Sequence, residues 1–160
     1  MNTLADFGRL LAQKTWNKDI VIWVGEVRLV QEAAQTAGQP ISVVELDLLD
    51  LLDQSSLPEN DSDIAVALRT ALRAEVRKRP SGTQDRQLLI VRSAPLLTRY
   101  SIGLRDFFDW FVGDHALVVL VLEGVLASDK QLPPEIELRP DFLLQSLYRA
   151  DHAKHVFSAP

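Results

Sequence analysis

Residues 19–38 read DIVIWVGEVRLVQEAAQTAG, and this stretch decides the fold class. The run Ile20–Val24 is apolar throughout and rich in β-branched side chains, as expected of a strand that is buried on both faces. From Glu26 to Ala37 apolar residues recur at helical spacing, and Gly38 followed by Pro40 ends that pattern. A buried strand, a tight turn and a helix therefore follow one another.

The same alternation continues in both directions along the chain. We predict further strands at Ile41–Leu46, Leu88–Val91, Ala116–Leu122 and His155–Ser158. Ala116–Leu122 is the longest apolar run and the best candidate for a central strand. Helical spacing predicts helices at Leu4–Leu11, from Asp61 or Ser62 as the N-cap to Arg79, at Ser101–Val112 and at Asp141–Ala150.

Apolar strands that alternate with helices imply right-handed crossover connections and a mainly parallel sheet. The expected fold is therefore α/β, a three-layer sandwich in which helices cover both faces of a sheet of about five strands. A chain of 160 residues that is 47% hydrophobic fits a single domain spanning residues 1–160.

Composition excludes several classes of function. The chain has no cysteine, so disulfides, thiolate metal sites and cysteine nucleophiles are excluded, and a reducing cytoplasm is the expected location. The N-terminus does not resemble a signal peptide, and no apolar run approaches the ~20 residues that span a bilayer, so we expect no membrane association. A formal net charge of −5 disfavours a whole-surface nucleic-acid binder.

The turn after the first core strand, Gly25-Glu26-Val27-Arg28, is where a parallel sheet of this kind would bind a ligand. A phosphate-binding loop needs several glycines and then a lysine with a serine or threonine, and this turn has one glycine and neither of the others. Glu26 is either an internal substitute for the phosphate charge or an ordinary acidic residue in the first turn of a helix. Gly25, Glu26 and Arg28 thus form a vestigial phosphate turn.

The third core strand ends in Arg92-Ser93, where a magnesium site would need an acidic residue. The order of the turn at Gly25, the segment Leu88–Leu97, a helix and the strand Ala116–Leu122 resembles a compact P-loop ATPase of the AAA-like group. Within that group it most resembles the BrxF family, the small P-loop proteins of BREX phage-defence systems. The resemblance implies a P-loop NTPase-like fold with degenerate Walker motifs. We expect no catalytic residue, no cofactor and no metal.

Two groups of side chains could form a partner surface. Arg69, Arg73 and Arg77 recur every four residues on one helix, either to meet phosphate or an acidic partner, or as a solvated face. The segment Tyr100–Phe111 has more aromatic residues than one helical face can bury, and Tyr100, Phe107 and Trp110 could contact a protein partner or belong to the core.

These observations lead to two hypotheses. The first is a non-catalytic interaction subunit, in which a degenerate P-loop fold serves assembly with protein partners or with further copies of itself, in phage defence or another DNA transaction. The second is a regulatory module that binds nucleotide or nucleic acid at an unconventional site near Gly25 and Arg28. ATP with magnesium distinguishes them, because only a protein that binds the nucleotide is stabilised by it.

Overall fold

A computed structural model of the protein describes residues 2–13, 16, 19–38, 40–53, 55–78, 86–110, 115–123 and 156–159. Its single sheet has six parallel strands in the order β1-β6-β2-β5-β4-β3. Their bounds are β1 Asn2–Thr3, β2 Asp19–Val24, β3 Ile41–Asp47, β4 Arg86–Arg92, β5 Ala116–Leu122 and β6 Val156–Ser158. The predicted α/β class and the parallel sheet are confirmed.

β5 lies between β2 and β4, in the interior of the sheet, and all seven of its side chains are buried. Its position confirms the central strand predicted from the apolar run. The strand that the sequence did not predict is β1, whose two residues are too few to form a period-2 pattern. β1 pairs with β6, and β6 pairs in turn with β2.

The α-helices among the described residues are α1 Leu4–Ala12, α2 Val27–Gln35, α3 Asp61–Arg77 and α4 Pro95–Arg99. Two 3-10 helices, Leu48–Leu51 and Leu104–Trp110, complete the described elements. α1 and α2 pack on one face of the sheet, where Phe7, Val30 and Leu117 belong to one buried cluster. α3 and the 3-10 helix Leu104–Trp110 cover the other face, which confirms the three-layer sandwich.

α1 is joined to the sheet by a buried arginine. Arg86 at the start of β4 is 5% exposed, donates from Nη1 to the Leu11 carbonyl over 2.8 Å, and lies 5.2 Å from the centre of the Trp16 ring. Burial lowers the pKa of Arg86. The hydrogen bond satisfies a carbonyl near the C-terminus of α1, which has no partner within the helix.

Two helix predictions are wrong in detail. Of the expected helix Ser101–Val112, the described residues form only the 3-10 helix Leu104–Trp110, which a turn containing Ser101, with a φ of 53°, separates from α4. α3 is capped by Asn60, whose side chain accepts a hydrogen bond from the Asp63 amide, so Asp61 is the first helical residue. The predicted helix Asp141–Ala150 lies outside the described residues.

Candidate functional site

The turn between β2 and α2 is closed by hydrogen bonds within the chain. The Gly25 amide donates to the Leu122 carbonyl over 3.0 Å, and the Trp23 indole donates to the Glu26 carbonyl over 3.0 Å. Gly25 has a φ of 142°, a conformation that residues with a Cβ rarely adopt, and a Cβ there would lie 3.4 Å from Trp23 Nε1. The glycine is therefore required by the turn itself.

The anion at the N-terminus of α2 is Glu123, the residue that follows β5. The Val27 amide donates to Glu123 Oε1 over 3.3 Å, which satisfies one of the amides that have no partner within the helix. Glu26 is the N-cap residue, and its side chain makes no capping hydrogen bond. Of the two readings of Glu26, the internal substitute for phosphate is therefore wrong. A carboxylate does occupy that position, but Glu123 supplies it.

Arg28 pairs with side chains of its own segment. Its guanidinium contacts Glu32 at 2.7 Å and Glu26 at 3.3 Å, and its side chain is 61% exposed. The hydrogen bond to Glu32 is the main cause of the raised pKa of Arg28. The cation of the vestigial turn, Arg28, is therefore paired with the carboxylates of Glu32 on α2 and of Glu26, the N-cap residue of α2.

Arg92, at the end of β4, joins two acidic residues from the neighbouring strands. Its Nη2 lies 2.9 Å from Glu123 Oε2, and its Nη1 lies 3.6 Å from Glu45 Oε1 on β3. Glu45 also accepts a 2.7 Å hydrogen bond from Gln31 on α2. The bond to Glu123 is the main cause of the raised pKa of Arg92. A guanidinium thus occupies the place where a magnesium-binding acid was sought.

Ser93 follows Arg92 in a left-handed conformation, with a φ of 59°. Such a φ is uncommon for any residue except glycine, and the structure around it must hold it in place. The Ser93 hydroxyl donates to Asp47 Oδ1 over 2.6 Å, and the same oxygen accepts from the Leu49 amide over 3.0 Å. The carboxyl ends of β3 and β4 are therefore connected through their side chains.

The carboxyl edge of the sheet consequently carries a connected polar network: Val27, Glu45, Asp47, Arg92, Ser93 and Glu123. Each charged side chain in this network has an opposite charge or a hydrogen-bond donor beside it. A bound phosphate would have to displace the Glu123 carboxylate from the α2 amide. Within the described ranges, no three acidic or histidine side chains are grouped as metal ligands.

The aromatic partner surface is wrong at two of its three residues. Phe107 and Trp110 are 0% and 1% exposed and belong to the core cluster beneath α3. In a 3-10 helix, residues three apart align on one side, so Leu104, Phe107 and Trp110 form a single buried row, which the 100° spacing of an α-helix would not allow. Tyr100 is partly buried against the same cluster.

Two of the three arginines on α3 contact the 3-10 helix Leu104–Trp110. Arg73 Nε lies 2.7 Å and Arg69 Nε 3.6 Å from the carboxylate of Asp106, whose side chain is 7% exposed. Arg69 also donates to the Ser101 carbonyl over 3.3 Å. Both therefore hold a neighbouring element within the chain. Arg77 lies in the last turn of α3 and is exposed.

Sequence reasoning missed Glu123, Glu45, Asp47 and Asp106. The first three could have been found, because they lie at the carboxyl ends of predicted strands, where ligands and polar side chains of a parallel sheet collect. Asp106 gave no such signal, since its partners lie 33 and 37 residues away in the sequence on another element.

Comparison of the sequence with protein-family models and with curated proteins finds no match. In the part of the chain that the structure describes, no helix combines the length and the apolar character needed to cross a bilayer.

Proposed function

We propose that the protein is a non-catalytic interaction subunit built on a degenerate P-loop NTPase-like fold. One observation carries the proposal. The α2 amide that would meet a phosphate donates to Glu123, and Arg92, which stands where a magnesium ligand would be needed, pairs with the same carboxylate. The protein fills the phosphate position with its own anion and the metal position with its own cation.

Electrostatics explains why this arrangement disfavours nucleotide. A phosphate that approached the first turn of α2 would meet Glu123 and Glu45 of the polar network and Glu26 at the N-cap of α2, and like charges at short range repel one another. Displacing Glu123 would also leave Arg92 with only its longer contact, at 3.6 Å to Glu45. The fold remains as a scaffold after the chemistry of its usual site has been replaced.

The setting that we propose for this subunit is a cytoplasmic phage-defence complex or another complex that acts on DNA. The support is the resemblance of the layout to the BrxF family, together with the absence of cysteine from the sequence. Deletion of the gene in its host, followed by phage challenge, tests the setting. Unchanged phage resistance would contradict the phage-defence setting but not the proposed interaction role.

Thermal melting with ATP and magnesium tests the proposed function directly. We expect the melting temperature to stay unchanged at millimolar ATP·Mg, and we expect no phosphate release above a buffer control. A ligand present at 100 times its Kd would add about 2.7 kcal/mol to the free energy of unfolding, which melting detects readily. A rise in melting temperature that Arg28→Ala abolishes would favour the nucleotide-binding alternative.

A further inference from the structure

The large apolar side chains that are exposed in the described chain all lie in one segment. The four large apolar residues that are most exposed all lie between residues 43 and 66: Val43 at 43%, Leu49 at 47%, Leu57 at 42% and Val66 at 61%. They belong to β3, the 3-10 helix Leu48–Leu51, the loop that follows and the first half of α3. The 3-10 helix contacts both β3 and α3, so these elements adjoin one another.

The same segment is strongly acidic. No lysine, arginine or histidine occurs between Arg28 and Arg69. The exposed acidic residues from the 3-10 helix Leu48–Leu51 to the first turn of α3 have no ion pair with any described cation: Asp50, Asp53, Glu59, Asp61 and Asp63. Hydrogen bonds from Ser55 and Ser56 lower the pKa of Asp53, so this carboxylate stays ionised at neutral pH. We call residues 41–66 the acidic edge.

The acidic edge includes a free edge of the sheet. β3 is the last strand in the sheet order, so the outer backbone groups of Ile41–Asp47 have no strand partner among the described residues. An unpaired strand edge is a ready template for an added strand, and exposed side chains on that edge decide which strands can join. Val43 and Glu45 lie on the same face of β3, two residues apart.

Charge identifies the strand that can join. A second copy of this chain would bring the exposed acids of its own acidic edge, such as Asp50 and Glu59, toward those of the first, and like charges at short range repel one another. Nucleic acid is disfavoured by the same carboxylates. A strand that alternates basic and apolar side chains meets both requirements, because its cations face the carboxylates and its apolar side chains cover Val43 and Leu49.

We infer that the acidic edge is the docking surface for a basic, apolar, extended segment of another protein, which adds a strand beside β3. This inference rests on the proposed interaction role and specifies its surface and the chemistry of its partner. Main-chain hydrogen bonds to β3 supply the alignment, and the acidic side chains select the partner and speed its association.

The experiment uses the full chain and three synthetic peptides of nine residues. The first alternates lysine with valine, the second alternates glutamate with valine, and the third is the lysine peptide with alternate amides methylated so that they cannot donate. Binding is measured by fluorescence anisotropy at physiological salt, and the site is located by amide chemical-shift changes. We expect only the first peptide to bind, with shifts concentrated in residues 41–50.

Two charge-reversal variants test the surface with equal changes in net charge. Asp50→Lys with Glu59→Lys alters the acidic edge and should weaken binding at least about tenfold. Glu32→Lys with Glu75→Lys alters one exposed acid on α2 and one half-buried acid on α3, which pair with Arg28 and Lys78 outside the acidic edge, and should change binding less than about twofold. Val43→Ser should weaken binding about twofold to fivefold, the range of one cross-strand pair.

Several results would overturn the inference. The first is an equal loss of peptide binding in both charge-reversal pairs, and the second is equal binding of the methylated or the glutamate peptide. The third is salt-sensitive self-association in sedimentation that Asp50→Lys with Glu59→Lys abolishes, because the docked partner would then be a second copy of this chain. These measurements contain no nucleotide. Failure here therefore leaves the ATP·Mg result untouched, and stabilisation by ATP·Mg would contradict the proposed function without altering the peptide result.

Discussion

The Ser93 hydroxyl donates a 2.6 Å hydrogen bond to Asp47, a residue 46 positions earlier in the chain, while the Ser93 backbone keeps a φ of 59°. The bond joins the ends of two adjacent parallel strands, and the backbone at Ser93 turns the chain from β4 toward α4. The hydrogen bond of the Ser93 side chain stabilises the fold, whereas the left-handed backbone conformation of Ser93 destabilises it. Substitution of Ser93 by alanine or by glycine distinguishes the two effects.

Ser93→Ala should lower the free energy of unfolding by about 1–2 kcal/mol, because it removes a hydrogen bond to a charged group and keeps the left-handed backbone. Ser93→Gly loses the same bond but relieves a strain of about 1–2 kcal/mol. We therefore expect the glycine variant to be the more stable of the two in urea denaturation. An alanine variant at least as stable as the glycine variant would contradict this account of the turn.

The N-terminus of α1 has a pH-dependent cap. Thr3 and Asp6 form a capping box, and the backbone hydrogen bond from Thr3 is the main cause of the lowered pKa of Asp6. Because the folded-state pKa lies below the ordinary value of 3.8, this contribution to stability is complete above pH 3.8 and is lost as the pH falls through the folded-state pKa.

Thr3→Ala removes the hydroxyl and keeps the backbone amide, so it should raise the pKa of Asp6 part of the way toward its ordinary value, which carboxyl chemical shifts measured against pH will report. Asp53 serves as the internal control, since its pKa is lowered by Ser55 and Ser56 at a separate place in the chain. An unchanged titration of Asp6 in the variant would show that the Thr3 hydroxyl does not contribute to the lowered pKa, and a complete return to the ordinary value would show that the Thr3 backbone amide does not.

Arg73→Ala should destabilise the protein by about 1–2 kcal/mol, because it leaves the carboxylate of Asp106 buried with only the longer contact to Arg69. The estimate is below that for a fully buried ion pair, since Arg73 is 51% exposed and water screens the interaction. Arg105→Ala, at an exposed residue beside Asp106, is the matched control and should change stability by less than about 0.5 kcal/mol. Similar decreases in the free energy of unfolding of both variants, measured by urea denaturation, would contradict this explanation.

Trp110→Ala should cost about 3–5 kcal/mol of folding stability, because the side chain is 1% exposed in the core beneath α3. Val66→Ala on the exposed side of α3 should leave the melting temperature nearly unchanged. If sedimentation showed a complex that Trp110→Ala dissolves without lowering the melting temperature, the assignment of Trp110 to the core would be wrong.

Four strands could be predicted from their apolar side chains, which form continuous runs in β2, β5 and the centre of β4 and are interrupted by Ser42 and Glu45 in β3. β2, β3, β4 and β5 lie within two residues of their predicted bounds. The 3-10 helix Leu104–Trp110 could not be predicted. A 3-10 helix has three residues per turn and an α-helix has 3.6, and a segment of seven residues is too short for its apolar pattern to distinguish the two. At the site, Gly25 and Arg92 were found by their place after a strand. The partnership of Arg92 with Glu123 required the order of β4 and β5 in space, which the sequence does not state.

The pairing of β1 with β6 also sets an order of events during synthesis. Thr3 pairs with Ser158, so the first strand has no partner until residue 158 has been synthesised and has left the ribosome. At roughly 5–20 residues per second, that delay is on the order of ten seconds. During that interval β2, β3, β4 and β5 can already associate, while the border of β2 that β6 will occupy remains open to chaperones or to mispairing.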